Sequence, residues 1–195
     1  MFDSRYRLIA LALAGAIGGA LIMPTNVAEA ASWTVNTSKS QIAFSDTQTG
    51  TKFTGHFTKF TAVVDFNPKA PAAGHAQVVI DTCSARAGSV QRNEALPGPN
   101  WFDCKAFPRA VFTATTFKAN GDGQYTAIGT LKLRDITKPI AVPFTFAAHG
   151  RQADITGQVT LNRTDFGVGQ GIWAKGNWVG LNVQVLIKLV ATEAK

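Results

Sequence analysis

From Trp33 onward, apolar side chains recur at every second position in short runs broken by Gly, Pro and Asn, and almost nothing repeats at helical spacing. That is an all-β pattern. A first strand is expected over about Trp33 to Ser45, with Ile42 and Phe44 on one face. A second, long one covers about Thr51 to Phe66 and changes phase within itself. Phe53, Gly55 and Phe57 share one parity, whereas Phe60, Ala62, Val64 and Phe66 share the other. One residue near Thr58-Lys59 is therefore extra, which predicts a bulge or bend of the kind that turns a barrel corner. Ala76, Val78 and Ile80 alternate in a third strand ending at Cys83, and Ala110, Phe112 and Ala114 in a fourth. Asn120-Gly121-Asp122-Gly123 supplies the positive-φ residues of a tight hairpin. It leads into a fifth strand with Tyr125, Ala127, Gly129, Leu131 and Leu133 on one face. Ile140, Val142, Phe144 and Phe146 mark a sixth, where Pro143 argues for a disturbed or edge position. Ile155, Gly157, Val159 and Leu161 mark a seventh, and Val183, Val185, Ile187 and Leu189 an eighth.

Eight antiparallel strands with one apolar face each can close into a barrel whose interior is filled by side chains or holds one ligand. A two-sheet sandwich competes with this, although the long cross-connections of a Greek key are missing. Inward Gly55, Ala62, Gly129 and Gly157 read either as room for a cavity or as points of sharp strand coiling. One stretch is not strand: CSARAGSVQRNEALPGPNWFDC, from Cys83 to Cys104. It reads as a short helical cap between the third and fourth strands, broken at Pro97-Gly98-Pro99, with Val90, Leu96, Trp101 and Phe102 facing the barrel mouth.

The N-terminus reads as a processing signal. Arg5 and Arg7 precede an uncharged run from Leu8 to Ile22, followed by Pro24 and the small-x-small pattern Ala28-Glu29-Ala30. Residues 1–30 are expected to be cleaved, leaving 31–195 as one exported domain; an uncleaved anchor is the competing reading. In an exported chain Cys83 and Cys104 read as one disulfide, with two free thiols the alternative. The formal charge of +7 survives cleavage, because Arg5 and Arg7 leave together with Asp3 and Glu29. Export argues against nucleic acid. A basic surface outside the cytoplasm suits acidic lipid headgroups or a phosphorylated ligand, or merely keeps the protein soluble.

Catalytic signals are weak. His56, His75 and His149 lie apart on or beside different strands, with no second ligand at metal spacing. There is no Gly-x-Ser-x-Gly elbow, and the scattered carboxylates give no acid/base pair. No catalysis and no cofactor are expected. Gly167-Val168-Gly169-Gln170-Gly171 lacks the following helix of a phosphate-cradling loop and reads as a flexible connection. Arg92 in the cap could present its guanidinium to an anionic or carbonyl headgroup, or pair with Glu94 or Asp103. Arg163 and Asp165 are the nearest approach to a polar cluster.

The residues support a family resemblance over essentially the whole mature region. Trp33-Thr-Val35, Ser40-Gln-Ile-Ala-Phe44, Gly55-His-Phe57-Thr-Lys-Phe60 and Asp65-Phe66-Asn67-Pro68 open it. Ile80-Asp-Thr-Cys-Ser84, Arg92, Leu96, Trp101-Phe102 and Phe107-Pro-Arg-Ala-Val-Phe112 follow. Gly129-Thr-Leu-Lys-Leu133, Thr137-Lys-Pro139 and Asn162-Arg-Thr-Asp-Phe-Gly167 complete it. In that order and spacing the chain resembles the YceI-like family of periplasmic, lipocalin-like polyisoprenoid-binding proteins. The resemblance implies an eight-stranded antiparallel lipocalin-like barrel that binds, stores or transports an isoprenoid lipid, a polyprenyl phosphate or an isoprenoid quinone such as ubiquinone. The expected ligand contacts are Phe57, Phe60, Val64, Phe66, Val78, Ile80, Phe112, Leu131, Leu133, Val142, Phe144 and Phe166 from the barrel, with Arg92, Leu96, Trp101 and Phe102 from the cap.

The chain departs from the family where many members carry His, Glu and Asp around the cap arginine. Here stand Ser89, Gln91 and Asn93, which disfavours a diphosphate head and favours a less charged one. Gly167-Val-Gly-Gln-Gly-Ile-Trp173 resembles a subgroup found beside membrane b-type cytochromes. A cytochrome of that type, or the membrane surface, is therefore an expected partner, and a homodimer is compatible with the sequence. An enzyme acting on a lipid or glycan, and a structural or adhesive β-domain with a filled core, are the competing functions.

Overall fold

Alternation of apolar and polar positions gives each strand one face to bury, and the chain satisfies all of them by rolling a single antiparallel sheet closed. The computed structural model describes residues 31–194; the expected signal segment lies outside the described residues. In order, the elements are β1 (Ser32–Val35), β2 (Gln41–Gln48), β3 (Thr51–Phe57), β4 (Phe60–Asp65), β5 (His75–Asp81), β6 (Ala85–Arg86), α1 (Val90–Ala95), β7 (Arg109–Gly121), β8 (Gln124–Leu133), β9 (Ile136–His149), β10 (Gln152–Asn162) and β11 (Asn182–Glu193). The sheet runs β1-β4-β5-β7-β8-β9-β10-β11, and β11 returns to β1, so eight strands close a barrel. β2, β3 and β6 extend one end of it from β11.

The expected first strand is two strands. Asn36 interrupts it: its Oδ1 accepts from the Lys39 N–H at 3.3 Å and from Ser38 Oγ at 2.7 Å, which folds Thr37–Lys39 into one 3-10 turn. Ser40 Oγ then accepts the Val190 N–H at 2.9 Å. The jog lets β1 pair with residues 191–193 of β11 while β2 pairs with residues 184–188.

The bend expected at Thr58-Lys59 is a full break between β3 and β4. Ser84 fills it, its carbonyl accepting the Thr58 N–H at 3.2 Å and its Oγ the Lys59 N–H at 3.1 Å. The phase change read from the aromatic parity is therefore real. Above the break β3 pairs with β2; below it β4 pairs with β5. The Asn120–Gly123 hairpin joins β7 to β8 through Gly121, Asp122 and Gly123, all at positive φ.

Pro143 stands where β9 parts from β10. Pairing of these strands runs from Gln152↔His149 to Gly157↔Phe144 and goes no further, although both strands continue. A proline has no N–H for the ladder, so the seam opens on that side. The turn Arg163–Phe166 lies against the opening, and Lys138 of β9 reaches Asp165 across it at 3.4 Å.

The inward glycines do not all make room. A Cβ on Gly129 would stand 1.9 Å from Thr113 O, and one on Gly55 would stand 2.3 Å from the Phe44 ring and 2.6 Å from Arg86 O. Both mark close approach of neighbouring chain. Of the four small inward residues, Gly55, Ala62, Gly129 and Gly157, only Gly157 borders the interior space.

Candidate functional site

The inward faces leave an elongated cavity of about 220 Å³ along the barrel. Its floor is aromatic. Phe66, 1 % exposed, packs edge-on against Phe117, Tyr125, Phe144 and Phe146 with centroids 4.9 to 5.7 Å away. Trp33 Nε1 donates to Phe66 O at 2.9 Å, which seals that end. Rings preferring such T-shaped contacts interlock into a rigid plug.

The cap makes the roof. Ser89 Oγ accepts the Arg92 N–H at 3.3 Å and opens α1, while Asn93 Oδ1 takes the Ala87 N–H at 2.7 Å. Cys83 and Cys104 form the expected disulfide across 21 positions. Leu96, Trp101 and Phe102 hang from this segment into the cavity. Phe57 bridges to them, 5.5 Å from the Phe44 ring and 5.6 Å from that of Phe102.

Two buried arginines hold the roof from below. Arg134, at the positive-φ turn between β8 and β9, donates from Nη1 to the carbonyls of Pro99 and Trp101 and lies 3.7 Å from Asp103. Arg163 is 4 % exposed and uses every N–H it has. Nε donates to Gly180 O at 2.7 Å, Nη1 to Val168 O and Gly169 O at 2.8 and 3.2 Å, and Nη2 to Trp173 O and Val179 O at 2.6 and 3.0 Å. Its guanidinium also lies 5.3 Å from the Trp101 ring. Thus Arg163 ties the segment 168–180 to the cap. The glycine-rich run is no loose connection: the N–H groups of Gly169 and Gln170 both donate to Asn100 O, at 2.8 and 2.7 Å.

Among the described residues, Asp46 and Arg163 are the charged side chains that border the cavity. Burial pushes the Asp46 carboxyl above its ordinary value, while the Thr47 N–H and the Arg163 charge pull it down. Burial lowers Arg163, and the Asp46 charge raises it. Asp46 Oδ1 accepts the Thr47 N–H at 2.6 Å.

Of the residues expected to touch ligand, all but Phe60 and Arg92 border the cavity: Phe57, Val64, Phe66, Val78, Ile80, Leu96, Trp101, Phe102, Phe112, Leu131, Leu133, Val142, Phe144 and Phe166. Phe60 begins β4 directly after the break and packs against the barrel core instead. Arg92 does not border the cavity. Its guanidinium covers the Phe53 ring at 4.8 Å, with Nε donating to Ala87 O at 2.7 Å and Nη1 to Gln48 Oε1 at 2.9 Å. It pairs with neither Glu94 nor Asp103; it anchors α1 to the β2–β3 hairpin. Val90, expected at the mouth, is 71 % exposed. Arg163 and Asp165 do not form a cluster, since Asp165 sits outside on Lys138.

Sequence reasoning missed Asp46, Arg134 and the cavity role of Val168 and Val179. A signal for the first existed: Asp46 continues the inward parity of Ile42 and Phe44.

A closed antiparallel barrel with an apolar interior and a cap over one end defines the lipocalin-like class. Within that class the chain belongs to the YceI-like domain family, whose model matches residues 33–191. A UPF0312 protein of Yersinia pestis is 36 % identical over 96 residues, and this match spans 49 % of the chain and half the length of that relative. A UPF0312 protein of Shewanella baltica is 25 % identical over 89 % of the chain and 95 % of its own length. Among solved structures, BcnA of Burkholderia cenocepacia superposes with a TM-score of 0.79 at 33 % identity, covering 81 % of this chain and 99 % of BcnA. A polyisoprenoid binding domain from Saccharophagus degradans, described as implicated in plant cell wall breakdown, shares the fold with a TM-score of 0.67 at 18 % identity, covering 85 % of this chain and 99 % of that domain. Among the described residues no helix is long and apolar enough to cross a membrane, and no group of His, Cys, Asp or Glu could hold a metal ion.

Proposed function

We propose that this protein binds an isoprenoid lipid in the barrel cavity and stores or carries it outside the cytoplasm, in the periplasm. One observation carries the reading: inward residues from around the whole barrel enclose a continuous apolar cavity capped at one end. Each CH₂ taken from water into such a space contributes about 0.8 kcal/mol, so a branched hydrocarbon chain binds without specific polar contacts. The likeness to a polyisoprenoid binding domain supports the ligand class. The Cys83–Cys104 disulfide suits an oxidising compartment.

The headgroup is neutral in this reading, an isoprenoid quinone rather than a polyprenyl phosphate. All five N–H donors of Arg163, the cation at the cavity, are already given to backbone carbonyls. None remains for a phosphate. Asp46 beside it would repel one. The same commitments leave Arg163 no free donor with which to polarise a substrate, which speaks for binding rather than catalysis. A membrane b-type cytochrome that exchanges quinone with the barrel is the proposed partner, on the resemblance of Gly167–Trp173.

The experiment is organic extraction of the purified protein followed by mass spectrometry, together with uptake of added ubiquinone. Recovery of an isoprenoid, or saturable uptake, is expected. Finding no isoprenoid and no uptake overturns the proposal and leaves a structural β-domain.

A further inference from the structure

Exposed apolar side chains gather at the capped end of the barrel. Val90 and Ile172 are each 71 % exposed and Trp178 is 54 % exposed. They come from separate segments that direct contacts bring to one end. The Thr49 N–H donates to Trp178 O at 2.8 Å, Gln48 bridges to Val179, and Arg92 of α1 reaches Gln48 at 2.9 Å. Trp173, next to Ile172, lies 5.7 Å from the Trp101 ring of the cap.

These side chains are displayed on a fixed frame. Arg163 holds the carbonyls of Trp173 and Val179 from inside, so the backbone on either side of Lys175 is tied down while Ile172 and Trp178 face water. The alternation is sharp: Val179 borders the cavity, and Trp178, one residue earlier, is outside. A tryptophan left in water on a rigid loop gains most where one side is apolar and the other wet. Charge favours the same place. Lys175 lies between the two apolar side chains in sequence and Lys52 stands on β3 beside the same hairpin, both exposed, on a chain of net charge +7. Glu94 on α1 and Asp135, beside Arg134, are exposed acids at this end, Lys105 next to Cys104 adds a further exposed cation, and Asp165 is spent on Lys138.

We infer that this end is a bilayer-docking face: Ile172 and Trp178 enter the boundary between headgroups and acyl chains of an anionic membrane, and Lys175 and Lys52 meet its phosphates. The inference rests on the isoprenoid-carrier reading, since a chain insoluble in water must pass directly between bilayer and cavity. The roof of the cavity and the open β9–β10 seam both lie at this end, which gives the ligand a path that avoids solvent.

The test compares the intact protein with the double variant Ile172→Ser/Trp178→Ser and with Val63→Ser as control. Val63 is 57 % exposed but lies on the barrel wall, in β4. Co-sedimentation uses vesicles of phosphatidylethanolamine with phosphatidylglycerol, against vesicles of phosphatidylcholine. Affinity for the anionic vesicles should fall roughly 10-fold or more in the double variant and stay unchanged in the control. Brominated lipids should quench the tryptophan emission of the intact protein, and most of that quenching should vanish with Trp178→Ser alone. Equal binding by the double variant and the control, or emission that brominated lipids leave untouched, would overturn the docking face. Ubiquinone uptake from detergent micelles separates the two ideas, because it needs the cavity but no membrane. Uptake without vesicle binding removes the docking face alone; no uptake by the intact protein removes the carrier reading beneath it.

Discussion

Replacing Arg163 by Met would test whether the segment 168–180 is fastened rather than merely packed. Met keeps the unbranched stem as far as about the position of Nε and has no donors, so five hydrogen bonds to carbonyls disappear. Those to Val168, Gly169 and Val179 lie in buried surroundings, whereas Gly180 O and Trp173 O are partly reached by water. Each buried carbonyl left unpaired costs about 1–3 kcal/mol, which gives an upper range of roughly 3–9 kcal/mol. Removing the guanidinium also relieves its own burial, the effect that lowers its pKa, so the net loss is smaller. We expect about 3–5 kcal/mol, as for breaking other buried charged networks from one side. In urea, with a slope of roughly 2 kcal/mol per molar, the midpoint should drop by about 2 M. Hydrogen exchange should show the Gly169 and Gln170 amides, now bonded to Asn100 O, losing protection first. Arg163→Lys should recover less than half of the loss, because an ammonium offers three donors and no planar fork. A loss under about 1 kcal/mol in Arg163→Met would refute the fastening role.

Replacing both Cys83 and Cys104 by Ser should cost about 3 kcal/mol by freeing the cap loop in the unfolded chain, read by urea denaturation; a loss below about 1 kcal/mol would count against it. Asp46→Asn should remove a pH dependence. The folded state holds the Asp46 proton more tightly than the unfolded one, so stability falls as pH rises from the ordinary carboxylate value through the raised one. The variant should therefore gain on the parent across that window and hold a constant lead above it; a pH-independent difference in denaturation free energy would refute this. Gly129→Ala places a Cβ 1.9 Å from Thr113 O and 2.7 Å from Ala114 Cα. Backbone must move at the β7 irregularity between Ala114 and Thr116, and a loss of about 1–3 kcal/mol is expected in thermal or urea unfolding. An unchanged midpoint would show that the strands give way freely.

The barrel was legible because its signal is local. Period-two alternation assigns each side chain to a face without any knowledge of its neighbours, and the parity switch between Phe57 and Phe60 marked the break between β3 and β4. The jog at Asn36 was harder to see. Its Asn-Thr-Ser-Lys-Ser run is compatible with a polar strand face, and only the need of β1 and β2 to pair with different parts of β11 makes the turn necessary. Glycine misled for a related reason. Gly55 and Gly129 have inward parity, but a missing side chain does not say whether space or a neighbouring chain fills the gap, and here Phe44 and Thr113 fill it.

The polar members of the site were hidden by the assumption that inward positions are apolar. Asp46 extends the parity of Ile42 and Phe44, and Arg163 extends that of Ile155, Gly157, Val159 and Leu161. Both charges therefore belong to the inner face where β2 and β10 run out toward the cap. Arg92 attracted attention because it lies in the segment that breaks the pattern; its carbons and charge go to Phe53, Ala87 and Gln48 instead. The structural difference between the two arginines is what decides the chemistry of the cavity. The inner one is saturated by carbonyls and presents hydrocarbon and a closed roof to a ligand, whereas the outer one anchors α1 on the hairpin. On the isoprenoid-binding proposal, a barrel so arranged selects its ligand by the chain it can surround, and discriminates against a charged head because Arg163 has no donor left to offer it.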